Sequence, residues 1–267
     1  MPNLRILDNC GWDGRILAVG LDDLVQSFIV VTRRFNVLVD TMVNQETALE
    51  LVDLARQAGP GRELLAVNTH ADWDHFWGNQ IFAAPILAHR LAAERALDQE
   101  AREDLRQHAA REPERYAGVR LTPPNVLFDE RLTVDGGDLT LELFRTPGHT
   151  IDHIAVYLPE IGLLLAGDAA EEPFPLVGGR GCLKTLRDSL RAMRDLRPRH
   201  ALYCHAPVET GPALLERNLA HFDEMERRCR SGEDFSLLEA TGGRTDLPGF
   251  YAESHTRALE LMRQLVK

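Results

Sequence analysis

Short apolar runs separated by polar turns open the chain. Ser27–Thr32 and Asn36–Asp40, rich in Val, Ile and Phe, read as paired strands. The period then changes. Leu49, Val52, Leu54 and Ala55 place apolar residues on one side of a helix over Gln45–Ala58, and Gly59-Pro60-Gly61 stops it. Leu64–Asn68 and Ile86–His89 read as short buried strands. Leu91 to Tyr116 is rich in Ala, Arg and Glu and poor in large apolar residues. Its helix propensity predicts a surface helix or helical pair, punctuated by Pro113 and Pro123-Pro124.

The second half repeats the strand-then-helix order. Arg131–Val134 and Leu139–Arg145 are strands joined by the turn Asp135-Gly136-Gly137-Asp138. Ile154–Leu158 and Leu163–Ala166 form a second hairpin around Pro159-Glu160-Ile161-Gly162. Leu183, Leu186, Leu190 and Met193 form the core face of a helix over Leu183–Leu196, and Ala201–Cys204 is a strand. Pro212 opens a helix that runs through Arg228 and buries Leu215, Leu219, Phe222 and Met225. Ser231 to Lys267 reads as helix, Gly-containing turn and helix. Pattern alone supports one mixed α and β domain over 1–267, with a helical insertion near 91–116 and a helical tail at 231–267.

The chemistry concentrates where apolar runs end. Directly after Leu64-Leu65-Ala66-Val67 stands Thr69-His70-Ala71-Asp72-Trp73-Asp74-His75, with four metal-capable side chains on one tight turn. Imidazole and carboxylate together are the ligands of zinc, iron and manganese sites. Three more candidates close later runs: His149 in Thr146-Pro147-Gly148-His149-Thr150, Asp168 after Leu163-Leu164-Leu165-Ala166-Gly167, and His205 after Leu202-Tyr203-Cys204.

With these residues the chain resembles the metallo-β-lactamase-fold hydrolases. Their pattern is His-x-His-x-Asp-His, then Gly-His, then an Asp and finally a His at strand ends. The elements occur here in that order over about residues 25 to 225. The resemblance implies an α+β fold, the four-layer αββα sandwich. It also implies two divalent metal ions, with Zn foremost and Fe or Mn as alternatives. His70, Asp72 and His149 would hold one ion, and Asp74, His75 and His205 the other, with Asp168 bridging. Asp74 and His153 are the candidate catalytic side chains. His153, four after His149, is expected at the pocket rim, facing a substrate oxyanion.

One position departs from the pattern: the family's second His is Asp72 here. A carboxylate reaches less far than an imidazole Nε2, so ligation by Asp72 needs a backbone adjustment. Its charge also matters. Three aspartates and a hydroxide would cancel two divalent cations, leaving a neutral core that tolerates iron or manganese. The flavodiiron branch of this fold carries a Glu at that position.

Composition narrows the remaining classes. The 30 basic and 41 acidic residues give a net charge of −11, which argues against nucleic acid or an anionic membrane as partner. No apolar run approaches the roughly 20 residues of a membrane span. The start Met1-Pro2-Asn3-Leu4-Arg5 lacks a signal-peptide layout. Cys10, Cys182, Cys204 and Cys229 are scattered, which fits a reduced, cytoplasmic setting, and Cys204 is expected as a small core residue. Trp73, Phe76 and Trp77 flank the cluster and are expected in the core or as an apolar wall.

The expected function is therefore hydrolysis of an ester, thioester, lactone or amide of a small molecule. Glyoxalase II-like thioesterases and lactonases are the nearest analogues. The competing classes are an iron-dependent oxygenase or diiron protein of the same fold, and a binding protein that kept the scaffold. A homodimer stays open.

Overall fold

The protein is represented by a computed structural model that describes residues 4–9, 11–177 and 182–267; Cys10 and Met1-Pro2-Asn3 lie outside them. Strands β1 (Leu4–Leu7), β2 (Ile16–Leu21), β3 (Val25–Val31) and β4 (Phe35–Val39) form an antiparallel meander. Helix α1 (Gln45–Ala58) crosses over to β5 (Glu63–Val67), which pairs parallel to β4. Asn44 caps α1 reciprocally with Thr47, satisfying amides that the helix start leaves open. A short helix α2 (Trp73–Phe76) and a 3-10 turn at Trp77–Ile81 lead to β6 (Ile86–His89). Gly78 and Asn79 lie inside this tight turn. Gly78 is required there, because a Cβ would lie 2.1 Å from the Thr41 carbonyl oxygen.

The polar stretch after β6 breaks into three helices: α3 (Arg90–Arg95), α4 (Gln99–Arg111) and α5 (Pro113–Tyr116). Asp98 accepts the Ala101 amide to start α4, and Pro113 opens α5. These helices lie between β6 and β7 (Val126–Phe128), which pair in parallel and complete a seven-stranded sheet.

The second sheet has five strands in the order β12-β11-β10-β9-β8. They are β8 (Arg131–Asp135), β9 (Thr140–Arg145), β10 (Ile154–Leu158), β11 (Leu163–Leu165) and β12 (His200–Leu202), and only β11 and β12 pair parallel. Alternation along its strands divides the core. Leu141, Leu143, Val156 and Leu165 join Val19, Phe28 and Val30 of the first sheet in one buried cluster. Ala155 and Leu164 turn the other way, towards α6 (Leu183–Asp195) and α7 (Ala213–Ser231). With α1 against β3 and β4, the layers run helix, sheet, sheet, helix, an αββα sandwich. The tail adds α8 (Leu237–Ala240) and α9 (Gly249–Leu265), and α9 buries Ala258 and Met262 in the cluster under α6 and α7.

Two predictions test this packing. Met262→Ala leaves a cavity beneath α6 and α7 and should lower the unfolding free energy by about 2–5 kcal/mol in a urea titration. His221 on α7 stacks on Phe174 at 4.6 Å, and its Nε2 has no hydrogen-bond partner among the described residues. Burial, then His255, pushes its pKa down to about 3. His221 is neutral in both states above the unfolded value of about 6.5. As pH falls below that value, the unfolded chain takes a proton that the folded chain refuses, so stability is lost progressively towards pH 3. At pH 5 the loss from this group reaches about 2 kcal/mol. His221→Phe should shrink the stability difference between pH 7 and pH 5; an unchanged difference contradicts the assignment.

Candidate metal centre

The candidate residues come from five strand ends on one rim of the sandwich. Asp40 follows β4, and Thr69 to His75 follow β5. His149 and His153 lie between β9 and β10, while Asp168 follows β11 and His205 follows β12. Backbone hydrogen bonds tie this rim across both sheets. Ile154 donates to the Thr69 carbonyl at 2.8 Å, and Gln26 donates to Cys204 at 3.0 Å. Loop polar groups are thereby satisfied at a place with little access to water. Gly148 has φ +146°, and a Cβ there would lie 2.2 Å from the Leu186 Cα. Only glycine lets the loop carrying His149 sit so close to α6.

Asp168 is the geometric centre. Its Oδ2 lies 3.2 Å from Nε2 of His75 and of His205, and 3.7 Å from Nε2 of His70 and of His149. Two smaller groups flank it. Asp72 Oδ2 stands 3.5 Å from His70 Nε2 and 3.3 Å from His149 Nε2. Asp74 places Oδ1 3.6 Å from His75 Nε2 and Oδ2 3.3 Å from His205 Nε2. The structure therefore brings His70, Asp72 and His149 together on one side, Asp74, His75 and His205 on the other, and Asp168 against both.

Hydrogen bonding assigns the tautomers. Asp40 accepts the Thr69 amide on one oxygen at 2.7 Å. Its other oxygen accepts the Thr69 hydroxyl and His75 Nδ1, both at 2.8 Å. With its proton spent on Asp40, the Thr69 hydroxyl accepts from His70 Nδ1 at 3.0 Å. His149 Nδ1 donates to the Leu176 carbonyl at 3.0 Å. Three imidazoles thus spend Nδ1–H outside the cluster and turn Nε2 inward.

Among the described residues, the buried Nε2 atoms of His70 and His75 have no hydrogen-bond partner, nor has Asp168 Oδ1. Lone pairs converging on a carboxylate repel unless positive charge lies among them. Electrostatics agree. Burial opposes protonation of His75 and His205, but Asp168 and Asp74 hold their pKa values well above the usual range. Despite burial, Asp72 and Asp168 push His149 up to about 9. Burial likewise opposes the ionisation of Asp168, yet His205 and His75 hold its pKa well below normal. Divalent cations fit this donor set of nitrogen and oxygen.

A model of the metallo-beta-lactamase superfamily matches residues 21–205. The chain belongs to that superfamily. Sequence relatives include a hydroxyacylglutathione hydrolase of Erythrobacter litoralis, 43% identical over 27% of this chain and 29% of the relative. A second, from Bartonella henselae, is 32% identical over 41% of this chain and 42% of the relative. The matches thus span under half the length of these relatives. Among solved structures, a metallo-beta-lactamase family protein of Thermus thermophilus has a TM-score of 0.67 at 22% identity, covering 99% of this chain and 94% of that one. A stereoselective inverting sec-alkylsulfatase from Pseudomonas sp. reaches 0.68 at 19% identity, covering 99% and 50%. At such identities the structural likeness concerns the fold.

Within the superfamily frame, His153 stands away from the rim where it was expected. It is fully buried, its Nε2 accepts the Asp168 amide at 3.0 Å, and its Nδ1 donates to the Thr146 hydroxyl at 2.8 Å. Burial, with His70 and His149 nearby, holds it neutral, its pKa well below normal. No ring nitrogen is left for an oxyanion; His153 instead fixes the backbone of Asp168. A Cβ on Gly167 (φ +55°) would lie 2.6 Å from that Nε2, so glycine permits the contact.

Phe76 and Trp77 are core residues, while Trp73 stays partly exposed and packs against His108 in a tilted contact, ring centroids 4.4 Å apart. Cys204 is buried as expected and also approaches the cluster, with Sγ 3.8 Å from Asp40 Oδ2. Burial pushes its thiol pKa well up. Glu171 turns inward from the loop after Asp168. Its Oε1 accepts the Leu176 amide at 2.5 Å, and burial raises its pKa to about 7.

Sequence reading missed three residues. Asp40 is one. The others are Arg95 and Asp152, which pair at 2.6 Å, while Arg95 also donates to Asp72 Oδ1 at 2.7 Å. The charge count based on three aspartates omitted this guanidinium. No local pattern marks these residues, because each partner lies far along the chain.

Asp40 generates a prediction. Asp40→Ala frees the Thr69 hydroxyl and His75 Nδ1, so neither imidazole tautomer is fixed. Zinc affinity, measured by competition with a chromophoric chelator, should fall about 10–100-fold. Unchanged affinity would refute the tautomer assignment.

Proposed function

We propose that the protein is a metal-dependent hydrolase acting on an ester, thioester, lactone or amide carbonyl of a small molecule. One observation carries this reading: a single buried Asp168 oxygen faces four imidazole Nε2 atoms within 3.7 Å. The hydroxyacylglutathione hydrolases among its relatives point to thioesters as the first substrates to try.

His70, Asp72 and His149 would hold one divalent ion, zinc foremost, and Asp74, His75 and His205 the other, with Asp168 between. When bound, such ions bring the pKa of water to about 7 and polarise the oxygen under attack. The chain's own groups do the rest. Asp40, Thr69 and the Leu176 carbonyl fix the imidazole tautomers, and His153 fixes Asp168. Burial opposes ionisation of Asp74, but His75 and His205 hold its pKa below normal. Asp74 is therefore a carboxylate at neutral pH, able to accept the proton of an attacking water. Water adds to the carbonyl carbon, the bond to sulfur, oxygen or nitrogen breaks, and the leaving group takes up that proton. Trp73, partly exposed next to Asp72 and Asp74, offers an apolar face to the acyl group.

The test is elemental analysis of protein purified without a chelating column, paired with hydrolysis of thioester and lactone substrates. About two zinc ions per chain are expected, falling to about one in Asp72→Ala. Chelation should abolish turnover and added zinc should restore it. Protein without divalent metal or hydrolytic activity would refute the reading. Iron with oxygen uptake on a persulfide would replace it by the oxygenase alternative.

A further inference from the structure

We infer that Arg95 is a positioning residue for Asp72, and that a guanidinium–carboxylate pair does here what the family's second histidine does elsewhere. This inference rests on the reading of the cluster as a metal centre and names what one half of it requires.

Asp72 is a short ligand in a position built for a long one. Its carboxylate divides its two oxygens: Oδ1 accepts Arg95 Nη2 at 2.7 Å, while Oδ2 faces His149 Nε2 at 3.3 Å and His70 Nε2 at 3.5 Å. The oxygen turned to the centre is therefore selected by the one turned away. Arg95 is itself held. Its side chain is 10% exposed, and its second terminal nitrogen donates at 2.6 Å to Asp152, whose side chain is fully buried. The planar fork thus spans two carboxylates in a fixed geometry that a lysine cannot copy.

Asp152 extends the clamp to the main chain. Its Oδ1 takes Arg95 and its Oδ2 accepts the Ala71 amide at 2.8 Å. Ala71 lies between His70 and Asp72, so one connected unit grips both the backbone between these residues and the Asp72 side chain. That supplies the backbone adjustment a shorter ligand needs. Charge points the same way. The Arg95 guanidinium places a positive charge 2.7 Å from Asp72 Oδ1. A neutral imidazole needs no counter-charge, whereas a carboxylate at that place does.

The experiment measures zinc stoichiometry and affinity with zinc alone, by chelator competition, together with thermal unfolding. The variants are Arg95→Gln, Arg95→Lys, Asp72→His and Asp72→His/Arg95→Gln. Arg95→Gln should keep one tight zinc and bind the second about 10–100-fold more weakly. The double variant should regain two tight ions, because the longer imidazole reaches the centre without a clamp. Arg95→Lys keeps the charge but loses the fork, and should fall between wild type and Arg95→Gln. It also replaces Arg95→Gln should that variant not fold. Two ions bound with wild-type affinity in a folded Arg95 variant would overturn the proposal. So would loss of both ions together, or a double variant that binds no better than Arg95→Gln. A purely structural Arg95 would lower the unfolding temperature of both Gln variants and leave zinc binding alone, which also overturns it. Wild-type protein that binds no zinc is a separate result, refuting the metal centre itself.

Discussion

Everything at the functional end follows from one electrostatic demand. Asp168 sits among four imidazoles with its carboxylate buried, and at least three of those rings turn Nε2 towards it while Nδ1 bonds outside the cluster. Such an arrangement is unfavourable unless positive charge, whether ring protons or a bound cation, lies within it. The surroundings are built to hold it open: each Nδ1 proton is spent on Asp40, on the Thr69 hydroxyl or on the Leu176 carbonyl, and the Asp168 amide is spent on His153. These bonds fix ring orientation before any ion arrives, which reduces the ordering cost of binding.

The fold explains why this rigidity is available. Strands β4, β5 and β6 run parallel, as do β11 and β12, so their ends deliver residues to one rim. The hydrogen bond from Ile154 to Thr69 locks a strand of the second sheet to the loop of the first. The candidate ligands therefore stand on elements anchored in the core, although all lie in loops or at helix starts. Loops set on a rigid scaffold are where α/β architectures keep their chemistry.

Local signals carried most of this into the sequence. The extent of helix α1 was legible because its Gly59 stop is a local feature, but its buried face is Thr47, Ala48, Leu51, Val52 and Ala55, and Leu49, read on that face, is exposed. The cluster from His70 to His75 was legible because its members are neighbours in the chain. Other elements were hidden. Strand β2 reads as a nearly continuous apolar run with Gly20 inside it, β1 is a short edge with Ile6 exposed, and β7 has only three residues. The long polar stretch breaks into three helices because Asp98 and Pro113 restart the chain. His153 was misplaced by its spacing from His149, since a four-residue interval suggests a shared face only in a helix; here a turn leads into β10 and aims the ring inward. Asp40, Arg95 and Asp152 were invisible because their partners lie 35, 23 and 57 positions away, and pattern reading does not reach that far.

Arg95 changes how the departure at Asp72 is understood. Taken alone, an aspartate in place of a histidine shortens reach and adds a negative charge, so it weakens one half of the centre. Taken with Arg95 and Asp152, both deficits have an answer within the fold. The guanidinium offsets the charge, and the grip on Ala71 and on Asp72 Oδ1 presents the remaining oxygen to His70 and His149. Breaking such a buried unit at one member strands the others without partners, which makes it strongly interdependent. On this proposal α3 belongs to the candidate centre: its Arg95 would let an oxygen ligand stand where an imidazole stands in the family pattern.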